Sequence, residues 1–326
     1  MASVLVTGAS GFTGTALCRR LTAEGQQVVA FVRQTSNTQV LQEMGVECRV
    51  VDIKDRHDVQ RHFDGIEHVF HIAAAYRAEH ADVDEFRLVN VEATRNLLEA
   101  AKTTGVKRFV HCSTVGVQGE IEKPPASETY RTKPNDHYQE SKLDGEKLAL
   151  QYFRNGLPGA VVRPVGIYGP GDTRFLKLFK AVSKNRFVMI GSGNTLYHMT
   201  YIDDLIDGFL LVGTREDAMA QVFTIAGERY TTIRELANLV ADVLNKPHPR
   251  LQVPFWPVYW ASVVCDKVCR FVGVNPPLYP RRVEFFQLDR AFSIEKAKQV
   301  LGYRPNVSLV EGLRRTAKWY QEQGLV

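Results

Sequence analysis

Short runs of apolar, mostly β-branched residues alternate with segments of helical periodicity through the first half of the chain. The runs occupy residues 3–7, 27–32, 47–51, 67–72, 108–113 and 160–163. They are apolar at consecutive positions, as in strands that are buried on both faces of a parallel sheet. Apolar residues at three- and four-residue steps over residues 86–101 predict an amphipathic helix. This alternation predicts an α/β fold built on a doubly wound parallel sheet.

The pattern changes after about residue 164. Glycine and proline become frequent, residues 222–225 form one more apolar run, and the chain beyond residue 227 is mostly helical. We therefore expect a large sheet domain over residues 1–165, to which residues 199–226 return. Residues 166–198 and 227–326 are expected to form a smaller, mostly helical C-terminal lobe.

A glycine-rich turn follows the first predicted strand and opens the first predicted helix. Glycine there permits a tight bend and lets the backbone approach a pyrophosphate, which the free N–H groups of the helix start attract. An ordinary glycine turn is the alternative, but the position between strand and helix favours a dinucleotide site. The residues predicted to contact the cofactor here are Gly8, Ser10, Gly11, Phe12, Thr13 and Gly14.

Three further residues are predicted to contact the dinucleotide, and one of them bears on whether it is NAD or NADP. The second predicted strand ends at Arg33, where an acidic residue would bind the ribose 2′-hydroxyl of NAD and a basic one suits the 2′-phosphate of NADP. Arg33 therefore favours NADP over NAD, although a solvated surface arginine is the alternative. Asp52 and Ile53 follow the third strand and are placed to frame an adenine, and Asp52 could equally cap the next helix.

Candidate catalytic groups lie further along the chain. Tyr138 and Lys142 are four residues apart and share one face of a predicted helix. A nearby ammonium lowers the pKa of a phenol, so the pair makes chemical sense as a general acid/base and the group that tunes it. Ser113 and Thr114 end a predicted strand, where hydroxyls face the ligand crevice of open α/β sheets. A role as turn hydroxyls is the alternative for these two.

Together these motifs resemble the extended short-chain dehydrogenases/reductases, the group of nucleotide-sugar epimerases, dehydratases and 3β-hydroxysteroid dehydrogenases. Further matches are Val89-Asn90-Val91, Arg163-Pro164, Tyr168-Gly169-Pro170-Gly171, Tyr201-Ile202-Asp203-Asp204 and Leu301-Gly302-Tyr303-Arg304-Pro305. The resemblance implies a Rossmann-type NAD(P)-binding domain and a substrate-binding C-terminal lobe. It also implies that the cofactor contacts Ala73, Ala74, Ala75, Asn90, Pro164, Gly166 and Ile167.

By the same resemblance, Tyr138 transfers the proton and Lys142 binds the nicotinamide ribose and lowers the pKa of the tyrosine. Thr114 corresponds to the active-site Ser/Thr, with Ser113 as the alternative. Sugar dehydratases of this group carry an Asp-Glu pair after that residue, where this chain has Val115-Gly116, so dehydration is disfavoured.

Within the group, the chain is more similar to the 3β-hydroxysteroid dehydrogenase-like branch than to the sugar-binding branch. The arginine that grips a diphosphate in many nucleotide-sugar enzymes is replaced by Tyr197, although Arg281 or Arg282 could substitute. We expect an NAD(P)-dependent oxidoreductase acting on a secondary alcohol or ketone of a lipophilic substrate, such as a sterol or a β-keto acid. A nucleotide-sugar epimerase or reductase is the main alternative, and a catalytically silent sensor or assembly subunit is the lesser one.

The composition and the charge pattern limit which partners, metals and cellular location are expected. Of 326 residues, 44% are hydrophobic and 24% charged, and the net charge of +5 is not clustered, so nucleic acid is not an expected partner. Five irregularly spaced cysteines and an N-terminus without a signal-peptide pattern favour the cytoplasm. His71 and His80 have no acids at ligand spacing, so no metal is expected.

Two expectations concern partners. Residues 251–274 are rich in aromatic and β-branched residues, which is compatible with a core-packing helix, a lid over the substrate or a peripheral membrane contact. The family resemblance also implies a homodimer, for which the helices predicted at 86–101 and 138–152 are candidate contact elements.

Overall fold

The central sheet carries the nucleotide-binding topology that the sequence predicts. The computed structural model describes residues 3–76 and 83–326. The strands described, in chain order, are β1 Ser3–Thr7, β2 Gln27–Val32, β3 Glu47–Val50, β4 Ile66–His71, β5 Arg108–Cys112, β6 Gly159–Pro164, β7 Gly166–Tyr168, β8 Met189–Ile190, β9 Leu196–Tyr197, β10 Met199–Tyr201, β11 Val222–Ile225, β12 Thr231–Thr232 and β13 Gln252–Val253. In the described residues, seven of them pair in the order β11-β6-β5-β4-β1-β2-β3, all parallel.

The chain reverses its direction across the sheet between β1 and β4, and ligands of such sheets bind at the carboxyl ends of the strands on either side of the reversal. The predicted Rossmann-type fold class is therefore confirmed, as is the return of residues 222–225 to the sheet. The boundaries proposed for the two domains remain a prediction.

Helices cover both faces of this sheet. The helices described are α1 Phe12–Ala23, α2 Gln39–Glu43, α3 Arg56–His62, α4 Val83–Arg87, α5 Ala93–Thr104, α6 His137–Arg154, α7 Leu176–Ser183, α8 Ile202–Thr214, α9 Ile233–Val243, α10 Phe255–Phe271, α11 Pro280–Glu284 and α12 Leu309–Glu322. Leu17 of α1 and Leu205 of α8 are buried in one apolar layer, and Leu97 of α5 and Phe153 of α6 in the other. The core therefore lies on both sides of the sheet, which explains why its strands are apolar at consecutive positions.

The helix predicted over residues 86–101 is interrupted. The chain forms α4, then one π-helical turn over Leu88–Glu92, then α5. At this turn the Asn90 carbonyl faces α6 so closely that a Cβ on Gly145 would lie 2.3 Å from its oxygen. A π-helical turn contains one residue more than an α-helical turn. The spacing of apolar residues does not reveal it, because the segments on either side of the turn remain helical.

The smaller lobe consists of short strand pairs and helices. β7 pairs with β10 and β8 with β13 in parallel, and β9 pairs with β12 antiparallel. α7 packs against α9, and α9 against α12. This arrangement places the lobe's aromatic side chains opposite the carboxyl edge of the main sheet, where they share a cavity with the ends of its strands.

Helix α10 does not pack into the core, which was one of the interpretations of residues 251–274. Ser262 is the one buried residue described within it, while Trp256, Trp260 and Phe271 are 58%, 61% and 91% exposed. The helix also carries the basic residues Lys267 and Arg270, of which Arg270 pairs with Asp266 at 3.0 Å. In residues 3–76 and 83–326, no helix is long and apolar enough to cross a membrane. Contact with a membrane surface stays a prediction.

Candidate active site

One large cavity opens at the carboxyl edge of the sheet and extends into the lobe. Its volume is about 1500 Å³, more than a drug-sized ligand needs and enough for a dinucleotide beside a substrate. With one exception, it brings together every residue predicted above for cofactor binding or catalysis: Gly8, Ser10, Gly11, Phe12, Thr13, Gly14, Arg33, Asp52, Ile53, Ala73, Ala74, Ala75, Ser113, Thr114, Tyr138, Lys142, Pro164, Gly166 and Ile167.

The glycine turn forms the floor of the cavity between β1 and α1. Gly8 has a φ of +70°, and a Cβ on it would lie 2.8 Å from the Ala73 nitrogen. A Cβ on Gly14 would lie 2.2 Å from the Gly8 oxygen. Gly11 precedes α1 and supplies no side-chain cap, so the first N–H groups of the helix remain available to an anion. The turn therefore fits the pyrophosphate of a dinucleotide.

At the end of the crevice beside β2 and β3, the structure adds detail to the interpretations of Arg33 and Asp52. Arg33 is exposed at the end of β2, and its backbone N–H donates to the Ser36 hydroxyl at 3.1 Å. Ser36 also lines the cavity and was not predicted, because a lone serine in a loop carries no signal. Asp52 does not cap the next helix, since Asp55 accepts the N–H groups of His57 and Asp58 at the start of α3.

Asn90 is the exception: it lies behind the cavity wall and does not line it. Its side-chain oxygen accepts the Ala75 N–H at 2.9 Å, and its amide nitrogen donates to the Ser141 hydroxyl at 2.9 Å. The side chain is 1% exposed. Asn90 therefore holds the loop after β4 against α6.

Tyr138 enters the cavity from the first turn of α6. Asp136 starts this helix by accepting the Gln139 N–H at 2.8 Å. The phenol ring packs edge-on against Tyr76, with ring centres 5.1 Å apart, and against Phe86. Burial raises the pKa of the Tyr138 phenol, the direction opposite to that expected from Lys142. The phenol is therefore protonated at neutral pH and able to donate.

Lys142 lies one helical turn further along α6 and is 3% exposed. Its Nζ donates to the Cys112 carbonyl oxygen at 2.7 Å, which anchors it to the end of β5. Burial lowers the pKa of this ammonium. An ammonium has three donors, and the carbonyl occupies one of them, so two remain for a ligand in the cavity.

The two hydroxyls that end β5 differ in their surroundings. Thr114 Oγ1 accepts the Gly116 N–H at 3.1 Å, an arrangement that leaves the hydroxyl proton free to donate. Ser113 is 3% exposed, and its hydroxyl has no hydrogen-bond partner among the residues that the structure describes. Thr114 is the more accessible of the two to a substrate oxygen.

The lobe side of the cavity combines apolar and basic side chains. Its apolar lining comprises Phe175, Leu178, Phe187, Val188, Tyr197, Ile233, Leu236, Phe285, Phe286 and Phe292, and its basic lining comprises Arg174, Lys177, Arg186, Arg281 and Arg290. These residues are dispersed over more than 100 positions and no local motif marks them, so sequence reasoning did not single out most of them. Over the described ranges no three His, Cys, Asp or Glu side chains converge as a metal site; His80 lies outside those ranges.

Curated relatives have similar sequences over nearly the whole chain. A 3 beta-hydroxysteroid dehydrogenase/Delta 5→4-isomerase of Mycobacterium tuberculosis is 32% identical over 336 residues, covering 97% of this chain and 90% of that protein. A 2-alkyl-3-oxoalkanoate reductase of Stenotrophomonas maltophilia is 30% identical, covering 96% and 97%. A 3beta-hydroxysteroid-dehydrogenase/decarboxylase of Arabidopsis thaliana is 32% identical, and this chain spans about half, 50%, of its length.

A solved structure and a protein-family match also place this chain among NAD-dependent enzymes of similar fold. The structure of DesIV, a dTDP-glucose 4,6-dehydratase from Streptomyces venezuelae with NAD and TYD bound, superposes with a TM-score of 0.77 at 26% identity, covering 98% of this chain and 97% of that one. The sequence matches the NAD dependent epimerase/dehydratase family over residues 4–226. The chain is therefore an enzyme of the NAD dependent epimerase/dehydratase family, the extended short-chain dehydrogenases/reductases.

Proposed function

We propose that this enzyme transfers a hydride between NADP(H) and a secondary alcohol or ketone carbon of a lipophilic substrate. The observation that carries the proposal is the composition of the cavity. Its sheet side holds the glycine turn, Thr114, Tyr138 and Lys142, and its lobe side presents an aromatic and aliphatic lining with basic side chains among it. A substrate bound against that apolar lining would reach the hydroxyl groups that can orient and protonate an oxygen.

In the reducing direction, the chain's own residues handle the substrate oxygen. The Thr114 hydroxyl donates a hydrogen bond that orients the carbonyl, and Tyr138 gives up its phenolic proton as negative charge develops on that oxygen. Lys142, held by the Cys112 carbonyl, stabilises the phenolate that results. The bound nicotinamide supplies the hydride. In the oxidising direction Tyr138 takes the proton back.

The preference for NADP is part of the proposal. Arg33 lines the cavity at the end of β2, and no acidic residue occupies that point. A guanidinium suits a 2′-phosphate, whereas a carboxylate there would repel it. Titration of NADPH and NADH into the wild-type protein and Arg33→Ala tests this: the variant should lose affinity for NADPH and keep its affinity for NADH.

A sterol-like or 3-oxoacyl substrate agrees better with the lobe than a nucleotide sugar does. Tyr197, which replaces the diphosphate-gripping arginine, packs against Phe175 and Phe285 with ring centres 6.2 and 5.0 Å apart. An aromatic cluster there favours apolar surface over phosphate. The names of the two relatives covered over most of their length, a hydroxysteroid dehydrogenase and an oxoalkanoate reductase, support the same class.

A nucleotide-sugar epimerase remains the second candidate, because Arg281 and Arg290 line the lobe side of the cavity and both could face phosphates. Two measurements on purified protein separate the candidates. The proposal predicts NADPH oxidation with 3-oxosteroids or 3-oxo acids, and no thermal stabilisation by UDP-, GDP- or dTDP-sugars. Strong stabilisation by one nucleotide sugar, with no turnover of any lipophilic ketone, would reverse the ranking.

A further inference from the structure

Arg290 is a cation of the lobe that forms no ion pair with a carboxylate of the described residues, although the Glu284 carboxylate is near enough to act on its charge. Its backbone N–H donates to the Leu196 oxygen at 2.8 Å, which fixes this residue beside β9. Its guanidinium lies over the Phe285 ring, 5.3 Å from the ring centre, and lines the cavity. Nη1 is buried and has no hydrogen-bond partner in the described part of the chain, and Arg290 forms no ion pair there.

The other cations that line the lobe side of the cavity are either paired with a carboxylate or, like Lys177, exposed to water. Arg174 pairs with Asp172 at 2.5 Å, and Arg281 pairs with Asp136 at 2.8 Å. Arg186 is exposed, so water solvates it. Arg290 differs from these in combining a buried Nη1, an aromatic neighbour and the lack of an ion-pair partner among the described residues.

A guanidinium does not escape this cost by losing its proton, because its intrinsic pKa is above 12. Burial lowers the pKa of Arg290 from its usual value; Tyr197 and Glu284 oppose this shift and Arg281 adds to it, and the net direction shows that the site is unfavourable to the charge of Arg290 itself. An anion in the cavity would relieve that cost. The arginine fork matches a carboxylate with two parallel hydrogen bonds, which are strong where water is excluded.

We propose that Arg290 binds a carboxylate carried by the lipophilic substrate. This inference rests on the proposed function, since it names the polar end of the substrate that the apolar lining accepts. A carboxylate is favoured over a diphosphate because the other cations of this lining are either paired, as Arg281 is with Asp136, or exposed to water, as Lys177 and Arg186 are. The substrate class is therefore a lipophilic acid, as distinct from a neutral steroid or a nucleotide sugar.

Binding of unreactive probes tests the inference without requiring turnover. Decanoate, decanol and decyl phosphate are titrated into the wild-type protein with saturating NADPH. The wild type should bind decanoate at least 10-fold more tightly than decanol, and more tightly than decyl phosphate. Equal affinity for the acid and the alcohol, or a clear preference for the phosphate, would overturn the assignment.

Variants then locate the anion. Arg290→Met keeps the length and the apolar contact with Phe285, so it should remove the preference for decanoate while leaving the affinities for decanol and NADPH unchanged. Arg290→Lys should restore part of that preference. Arg282→Met is the matched control, because Arg282 is exposed, stacks on Tyr279 at 4.9 Å and does not line the cavity. A preference for decanoate that survives in Arg290→Met shows that another group binds the acid.

The outcome is separable from that of the proposed function. Absence of hydride transfer with any lipophilic ketone refutes the proposed function, whereas loss of the acid preference in Arg290→Met is read from binding alone. A protein that reduces neutral steroid ketones and shows no acid preference would keep the proposed function and refute the role of Arg290.

Discussion

The closest backbone approach in the glycine turn makes Gly14→Ala a sharp test of the cofactor seat. Gly14 lies in the first turn of α1, and an added Cβ would lie 2.2 Å from the Gly8 oxygen and 2.7 Å from the Ala9 Cα. Both are backbone atoms, so neither can rotate away as a side chain would. The turn has to move by about 1 Å to restore ordinary van der Waals contact.

Two magnitudes follow from that displacement. Overpacking of this kind costs about 1–3 kcal/mol of folding stability. Hydrogen bonds to a charged group contribute about 1.5–3 kcal/mol each, so moving one or two N–H groups away from the pyrophosphate should weaken NADPH binding by about 2–4 kcal/mol. That is a loss of about 30- to 700-fold in affinity.

Fluorescence titration with NADPH and urea unfolding measure both effects. Gly312→Ala is the control: Gly312 is also helical, in α12, and a Cβ there would lie 2.3 Å from the Tyr168 hydroxyl, outside the cavity lining. Both variants should lose stability, but only Gly14→Ala should lose NADPH affinity. Wild-type NADPH affinity in a folded Gly14→Ala protein, or an equal loss in Gly312→Ala, would refute the assignment of the turn.

Three further predictions concern stability, pH and surface contact. Glu146 accepts two hydrogen bonds, of 2.5 and 2.9 Å, from the buried Arg163 of β6. Glu146→Gln should therefore lower the free energy of unfolding by about 3–5 kcal/mol. An unchanged urea midpoint would contradict this. Burial lowers the pKa of His71 to about 3 and of His198 to about 4. The unfolded chain, with histidine pKa values of about 6.5, therefore binds more protons between pH 4 and 6.5, and the free energy of unfolding should fall as the pH drops through that window, whereas a flat profile would argue against neutral, buried histidines. We also propose that the exposed apolar face of α10, with the two basic residues of the same helix, rests on an anionic membrane surface; the protein should co-sediment with phosphatidylglycerol vesicles, and the double variant Trp256→Ser/Trp260→Ser should not, whereas equal sedimentation of the two proteins would exclude that face.

The parallel sheet was predictable because its strands are buried on both faces and so read as uninterrupted apolar runs. The glycine turn was predictable because its function depends on local backbone freedom, which glycine shows directly in the sequence. Local sequence does not predict which residue caps the start of α3. Asp52 and Asp55 both precede α3 by a few residues, and only the three-dimensional path of the loop shows that the carboxylate of Asp55 reaches the first N–H groups.

Features that depend on packing between distant segments could not be predicted. The π-turn at Asn90 reflects its contact with Gly145 of a helix more than 50 residues later. The position of Arg290 beside Tyr197 and in the cavity lining becomes visible only when β9 and the segment after α11 are placed side by side. The exposure of α10 was also hidden, because its aromatic and β-branched residues are equally typical of a core helix.

The central claim is that Tyr138 transfers the proton to or from the substrate oxygen, and single-turnover hydride transfer by Tyr138→Phe tests it most directly. The substitution removes only the phenolic hydroxyl and keeps the ring contacts with Tyr76 and Phe86. With a substrate that the wild type reduces, the variant should bind NADPH with unchanged affinity and transfer hydride about 10²- to 10⁴-fold more slowly. A hydride-transfer rate equal to that of the wild type would contradict the account.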